Sequence, residues 1–286
     1  MPATQNGALL GAFFLRCILK RQLTMKHMNR LIPTLALLAV LPLVGIGCKD
    51  KTDFVLDQST EQDTAVVQGS GDCAHDYYPL APGYSITYRN TAGESQTEYT
   101  MVVADAGDEA ARMEFSFPPE EEEDEPMSFT QELICSDGNI LPQGYLDMSS
   151  AFGDVRVSME TDNVEGVLLP QALPVGATWD TSYDLTVTPE EGSFPMAGFG
   201  SMTSSLSITN SVLTEESVTV PAGTYDTLKV ESVTTTVTEI PGLPSSVPPT
   251  ETTVTNYQWW AEGVGLVKME NSDGSSVTEA VSVSLP

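Results

Sequence analysis

Few side chains in this chain have the type and spacing that chemistry needs, and each falls short of a specific requirement. His75 stands two residues after Cys73. That pair offers two soft ligands of the kind zinc takes, but no second pair follows at zinc-site spacing. His75 therefore reads as a loop residue. A serine hydrolase needs a histidine base beside its nucleophile, and no Gly-x-Ser-x-Gly elbow occurs. The run GVGLVK from Gly263 lacks the four-residue glycine spacing of a phosphate loop, and Met269 follows its Lys268. In GFGSMT from Gly198, Thr203 stands where a dinucleotide fingerprint has its third glycine.

Carboxylates are the one abundant reactive class, 40 in all. Paired acids suffice for glycoside cleavage, so a carboxylate-dependent hydrolase stays open as a minor alternative. No Asp-x-Asx-x-Asx-Gly calcium loop is present. Glu120 to Glu125 reads as a solvated loop, because a continuous run of acids wraps one ion poorly; calcium binding there is the alternative. The expectation is a protein with no catalytic residues, no metal site and no cofactor, hence not an enzyme.

The four cysteines, at 17, 48, 73 and 135, say more about location than about reaction. Met25 to Arg30 is basic, Leu31 to Gly47 carries no charge, and Cys48 follows a small residue. That is the layout of a secretory signal. Its 17 apolar residues, interrupted by Pro33 and Pro42, are short for a membrane-spanning helix, which needs about 20. Residues 1–24 read as a misassigned upstream start, 25–47 as the signal, 48–72 as a flexible tether, and 73–286 as one all-β domain. Removing the signal leaves Cys73 and Cys135, a natural disulfide pair in an oxidising compartment.

No Asp or Glu precedes Cys48, so the remainder carries 7 basic against 40 acidic side chains, a net charge of −33. Such a surface repels nucleic-acid phosphate, which is bound by displacing counterions with Lys and Arg. It disfavours direct docking on anionic lipid for the same reason. No nucleic acid is expected as a partner.

The elements that must position these residues are strands. Apolar side chains alternate with polar ones at Tyr84, Ile86 and Tyr88; at Tyr99, Met101 and Val103; and at Met113, Phe115 and Phe117. The pattern continues at Val155, Val157 and Met159, at Trp179 to Val187, at Leu206, Ile208 and Val212, and at Val277, Val281, Val283 and Leu285. Period two with one apolar face describes antiparallel strands covering a core. Nine to twelve strands are expected, with a short helix only around Met148. Pro221 and Gly223 suit a type I turn. Ala261-Glu262-Gly263 suits a three-residue hairpin loop, and Asp273-Gly274 a tight turn. The runs 118–126 and 241–250 are acidic or proline-rich loops. Trp259 and Trp260 are adjacent on a strand, so one faces the core and the other faces out. Leu-x-x-Gly occurs twice as a strand lead-in, from Leu80 and from Leu173, which suggests two similar turns and, more weakly, a duplicated half-domain.

Leu43 to Cys48 resembles a bacterial lipoprotein signal, whose cysteine is lipidated, although Gly45 stands where a larger aliphatic residue is usual. Pro79 to Tyr88, Leu173 to Trp179, Val220 to Thr227 and Trp259 to Val267, in that order, resemble a group of uncharacterised bacterial envelope proteins and lipoproteins. These share a Pro-Leu-x-x-Gly phrase, Val-Pro-Ala-Gly-Thr-Phe/Tyr-Asp-Thr and Gly-Val-Gly-Leu-Val. The resemblance implies a strongly curved antiparallel sheet, a half-barrel or barrel like the lipoprotein carriers, with a β-sandwich as the alternative. It implies no enzymatic residue. The expected function is a protein of the cell envelope, held on the outer membrane or cell surface through lipid on Cys48. Its sheet would bind an apolar or amphipathic ligand, such as a lipid, or a partner protein. The alternative is a structural or adhesive module without a cavity.

Overall fold

A computed structural model describes residues 69–119, 127–141, 148–152, 155–189, 201–239 and 249–286. The signal segment, Cys48, most of the tether, the acidic run Glu120 to Glu125, the phrase at Gly198 and most of the proline-rich run after Glu239 lie outside these residues.

Thirteen strands are described: β1 (Ser85–Ala92), β2 (Ser95–Ala106), β3 (Ala110–Phe117), β4 (Met127–Ser136), β5 (Asn139–Leu141), β6 (Met148–Phe152), β7 (Val155–Gly166), β8 (Thr178–Pro189), β9 (Met202–Val220), β10 (Gly223–Glu239), β11 (Thr250–Ala261), β12 (Gly265–Asn271) and β13 (Val277–Ser284). All belong to one antiparallel sheet in the order β5-β4-β3-β2-β1-β13-β12-β11-β10-β9-β8-β7-β6. The first and last strands pair at its middle, and its two edges, β5 and β6, are neighbours in sequence. The chain thus steps directly from one edge to the other. The sheet is so strongly curved that β4 comes beside β6, giving a nearly closed barrel whose seam carries no ladder among the described residues. A bridge from Ile140 to Leu169 joins the two sides near the seam.

Register shifts occur at Thr87/Tyr88, Val103/Asp105, Asp162/Glu165, Lys229/Val230 and Trp259/Trp260. Extra residues in one strand of a pair bend it and raise its twist, which is how a sheet this wide coils on itself. The β-sandwich alternative is ruled out, since the thirteen strands form one continuous sheet and not two packed ones.

Local expectations were met unevenly. The turn between β9 and β10 is Pro221-Ala222, with Gly223 opposite Val220. Ala261 belongs to β11 and pairs with Gly265, so the hairpin loop is Glu262-Gly263-Val264, one residue later than expected. Of the segment around Met148 that could make a short helix, the described residues Met148–Phe152 form β6 instead, hydrogen-bonded to β7. In β13 the buried residues are Thr278 and Ala280, whereas Val277 and Val281 are only half-buried. The irregularity opposite Thr87/Tyr88 explains this, because it switches which parity faces inward: Ala280 lies against Tyr88 and Val283 against Ile86.

Apolar side chains gather in two clusters. The larger surrounds Tyr84, Ile86, Tyr88, Met101, Met113, Leu133, Val230 and Trp260. The smaller, between β7, β8 and β9, holds Met159, Tyr183, Leu185, Val187, Met202, Leu206 and Ile208.

Candidate functional site

The concave face carries two chemically different walls. One is aromatic and lies on β1 to β4, where register places inward rings opposite each other. Tyr88 faces Tyr99 across β1 and β2, and Phe115 faces Phe129 across β3 and β4. Their centroids are 5.3 Å and 4.7 Å apart, and Tyr99–Phe117 at 5.3 Å and Phe117–Phe129 at 5.9 Å complete a ladder of five rings. Each such pair contributes about 0.5–1.5 kcal/mol beyond its buried area. Tyr88 donates its hydroxyl to Leu266 O at 2.8 Å, and Tyr84 donates to Val264 O at 2.5 Å. Burial pushes both phenols well above their ordinary pKa, so they remain donors.

The second wall is built from amides and hydroxyls. Following the pairing from β1 to β11, one inward rung runs Asn90, Thr278, Met269, Gln258. The next includes Asn256, Ser232 and Asn210 on β11, β10 and β9. Beyond it, Thr234, Thr236 and Thr238 occupy successive inward positions of β10, all buried. Asn90 Nδ2 donates to Ser276 Oγ at 3.0 Å and to Thr278 Oγ1 at 2.8 Å. Trp260 Nε1 donates to Gln258 Oε1 at 3.0 Å, whose Nε2 donates to Asn256 Oδ1 at 3.2 Å. Ser204 and Thr238 share a hydrogen bond of 2.9 Å. Among the described residues, Asn90 Oδ1 and Thr234 Oγ1 are buried atoms without a hydrogen-bond partner. A buried polar atom left unmatched costs about 1–3 kcal/mol.

No Asp, Glu, Lys or Arg is among the buried residues described. No group of three or more His, Cys, Asp or Glu side chains that could hold a metal occurs among them either. The interior so far described offers hydrogen bonds, stacking and apolar contact, but no charge.

The residues singled out in the sequence take other positions. Cys73 and Cys135 form a disulfide with Cα atoms 5.1 Å apart, fastening a 3₁₀ turn (Gly71–Cys73) to β4. His75 is a loop residue but a buried one: its Nε2 bonds Pro170 O at 3.0 Å and its Nδ1 accepts from Tyr77 N at 3.0 Å. Those partners fix a neutral tautomer, and desolvation lowers its pKa against the opposing pull of Pro170 O and Asp76. Trp260 is the inward indole. Trp259 faces out and is nonetheless buried, because Lys229 and Lys268 lie 4.9 Å and 4.7 Å from its ring and its Nε1 donates to Glu216 Oε1 at 2.5 Å. That arrangement covers the ring with lysine side chains in place of a stacked ligand.

The polar wall escaped sequence reasoning. Along β10, Val233 and Val237 suggest that odd positions face inward, yet Ser232, Thr234, Thr236 and Thr238 do. The available signal was the fixed parity from Leu228 and Val230, carried forward without regard to polarity.

Residues 84–283 match the model of the DUF3108-like family. Among solved structures, the chain is similar to a Bacteroides fragilis protein described as exported and as having a YmcC-like fold, with 17% identity over 74% of this chain and 100% of that one and a TM-score of 0.49. A Parabacteroides distasonis protein described as a lipoprotein shows 15% identity over 73% and 99%, with a TM-score of 0.48. The hypothetical lipoprotein YmcC of Escherichia coli shows 13% identity over 71% and 85%, with a TM-score of 0.34. No curated protein matches the sequence. With 200 of its 286 residues inside that one family model, the chain belongs to the DUF3108-like family.

Proposed function

We propose that this protein is a lipid-anchored, non-enzymatic component of the bacterial cell envelope that binds an amphipathic ligand against its concave sheet. The observation that carries the reading is the pairing of walls on one inward surface. A stacked aromatic ladder accepts an apolar segment, and an uncharged amide and hydroxyl wall accepts a polar one. The anchor rests on the order of basic residues, apolar run and Cys48, followed by a polar tether long enough to hold the domain away from the bilayer.

Native mass spectrometry of the full chain released gently from the envelope tests the binding role. A co-purifying apolar or amphipathic molecule supports it; a bare chain in repeated preparations favours a structural module whose core is filled. Fractionation tests the anchor. Cys48→Ser is expected to move the protein into the soluble fraction, and retention in the membrane contradicts lipid attachment at that residue.

A further inference from the structure

We infer that the overhanging end of the β9–β10 hairpin is a hinged strap, which closes a split in the barrel wall between β12 and β13 and swings away to open it. The strap works the same way whatever the concave face binds, so it stands apart from the proposed function.

The split shows in the pairing. The ladder between β12 and β13 covers Lys268 to Glu270 against Val277 to Glu279. Below it, among the described residues, Gly265 to Val267 and Ala280 to Ser284 share no ladder, although β11 and β1 flank them on their other sides. Two tyrosines bridge the split in place of backbone. The hydroxyls of Tyr84 and Tyr88 reach from the β1 side, past β13, to Val264 O and Leu266 O. The tip of the β9–β10 hairpin supplies a further tie, as Ala222 N donates to Ala280 O at 3.0 Å.

The hairpin reaches that far because it outruns its neighbours. β8 stops pairing with β9 at Ser211, and β11 stops pairing with β10 at Thr227. Beyond those rungs, Ser217 to Val220 and Gly223 to Asp226 pair with each other. A two-stranded ribbon has little stability of its own, so docking decides where it lies. One face docks: Val220 is buried, and Val218, Ala222 and Tyr225 pack against the larger apolar cluster. The other face, with Ser217, Thr219, Thr224 and Asp226, is exposed. A hinge lies at the base of the ribbon. The register shifts between Lys229 and Val230, leaving Leu213 as an extra residue of β9, and a bulge bends the strand that carries it. Above that bend, Val230 pairs with both Val212 and Gln258 and is fully buried. The hairpin thus divides into a rooted half and an overhanging half. Local openings of such units cost less than unfolding the whole molecule. Release of the tip frees Ala280 O and uncovers the split, which gives the buried side chains that flank it, Tyr84, Val264 and Val267, their way to solvent.

Hydrogen exchange and thiol labelling test the strap in the full chain carrying Cys17→Ser and Cys48→Ser, with the Cys73–Cys135 disulfide intact. Amides of residues 217–226 are expected to exchange at least about tenfold faster than those of 228–236. Val267→Cys, beside the split, is expected to react with a maleimide at least about tenfold faster than Val230→Cys in the rooted half, although both positions are fully buried. Tyr225→Ala removes the largest docked side chain. It should raise the exchange of 217–226 and the labelling of Val267→Cys about tenfold and leave Val230→Cys unchanged. Should that variant fail to fold, Tyr225→Phe, which loses only the bond to Ala222 O, is read for the same changes at smaller size. Equal labelling of the two cysteines overturns the strap even where the ribbon exchanges fast, because the ribbon then frays without opening the wall. Rates that the Tyr225 variants leave unmoved overturn it as well.

Discussion

Two turns lead the chain into strands, one before β1 and one before β8, and they are nearly superimposable in their bonding. Gly83 and Gly176 both have φ of 90°, a conformation that favours glycine. Gly83 N donates to Val103 O and Gly176 N to Val212 O, each at 2.8 Å, while Val103 N and Val212 N return bonds to Tyr84 O and Ala177 O at 2.9 Å. Leu80 and Leu173 are both buried. What surrounds the two turns differs. The first is followed by Tyr84, whose hydroxyl reaches Val264, and is preceded by the disulfide and by His75. The second has small Ala177 in the tyrosine's place and an exposed Val175. His75 grips Pro170, three residues before Leu173, so the first lead-in clamps the second. The same local phrase therefore gives the same local geometry, and tertiary partners decide how much stability each turn anchors.

The largest expected effect comes from removing the covalent pin. A disulfide closing a loop of sequence separation 62 contributes about 4 kcal/mol by restricting the unfolded chain. Cys73→Ala with Cys135→Ala should lower the urea midpoint to match, and a midpoint indifferent to reductant in the parent protein would break the contrast. Tyr84→Phe is next. It strips a buried carbonyl of its donor and should cost about 1–3 kcal/mol in the same measurement, with no counterpart at Ala177.

The histidine clamp gives a smaller, pH-dependent term. Because burial lowers its folded-state pKa, neutral His75 contributes its full stability above the unfolded value of about 6.5. That contribution falls as pH drops below 6.5 toward the lower folded pKa, at no more than about 1.4 kcal/mol per pH unit. Subtracting the urea midpoints of His75→Gln from those of the parent between pH 6.5 and 5 isolates this slope from the carboxylates. A difference that stays flat across the window counts against the clamp. The smallest effect sharpens the likeness between the turns. Gly83→Ala and Gly176→Ala should each cost about 1 kcal/mol, and nearly the same amount. An added Cβ would meet only Pro286, at 3.6 Å, at the first position and nothing within 4 Å at the second. Unequal losses would show that the surroundings, and not the φ angle, set the cost.

Much of the fold was legible because strands announce themselves locally. The alternation at Tyr84 to Tyr88 and at Tyr99 to Val103 falls on β1 and β2, and the tight turn at Asp273-Gly274 joins β12 to β13. The helix expected around Met148 failed because a short segment with mixed polarity takes the structure its neighbour supplies, here the edge of β7. The valine pattern of β13 misled because a register shift reverses parity, and such a shift leaves no mark in a single sequence.

The candidate site was less visible still. Asn90, Thr278, Gln258, Asn256, Ser232 and Thr234 look like solvent-facing residues until the sheet closes around them. The amino-acid sequence by itself determined the strands, the two glycine turns and the all-β class, because those follow from side-chain period and from the φ angles glycine permits. The tertiary structure alone decided that the sheet bends into one nearly closed surface, with rings stacked on β1 to β4 and buried amides and hydroxyls running from Asn90 on β1 across to β10. Facing partners across a barrel come from strands distant in sequence, and only register and curvature bring them together.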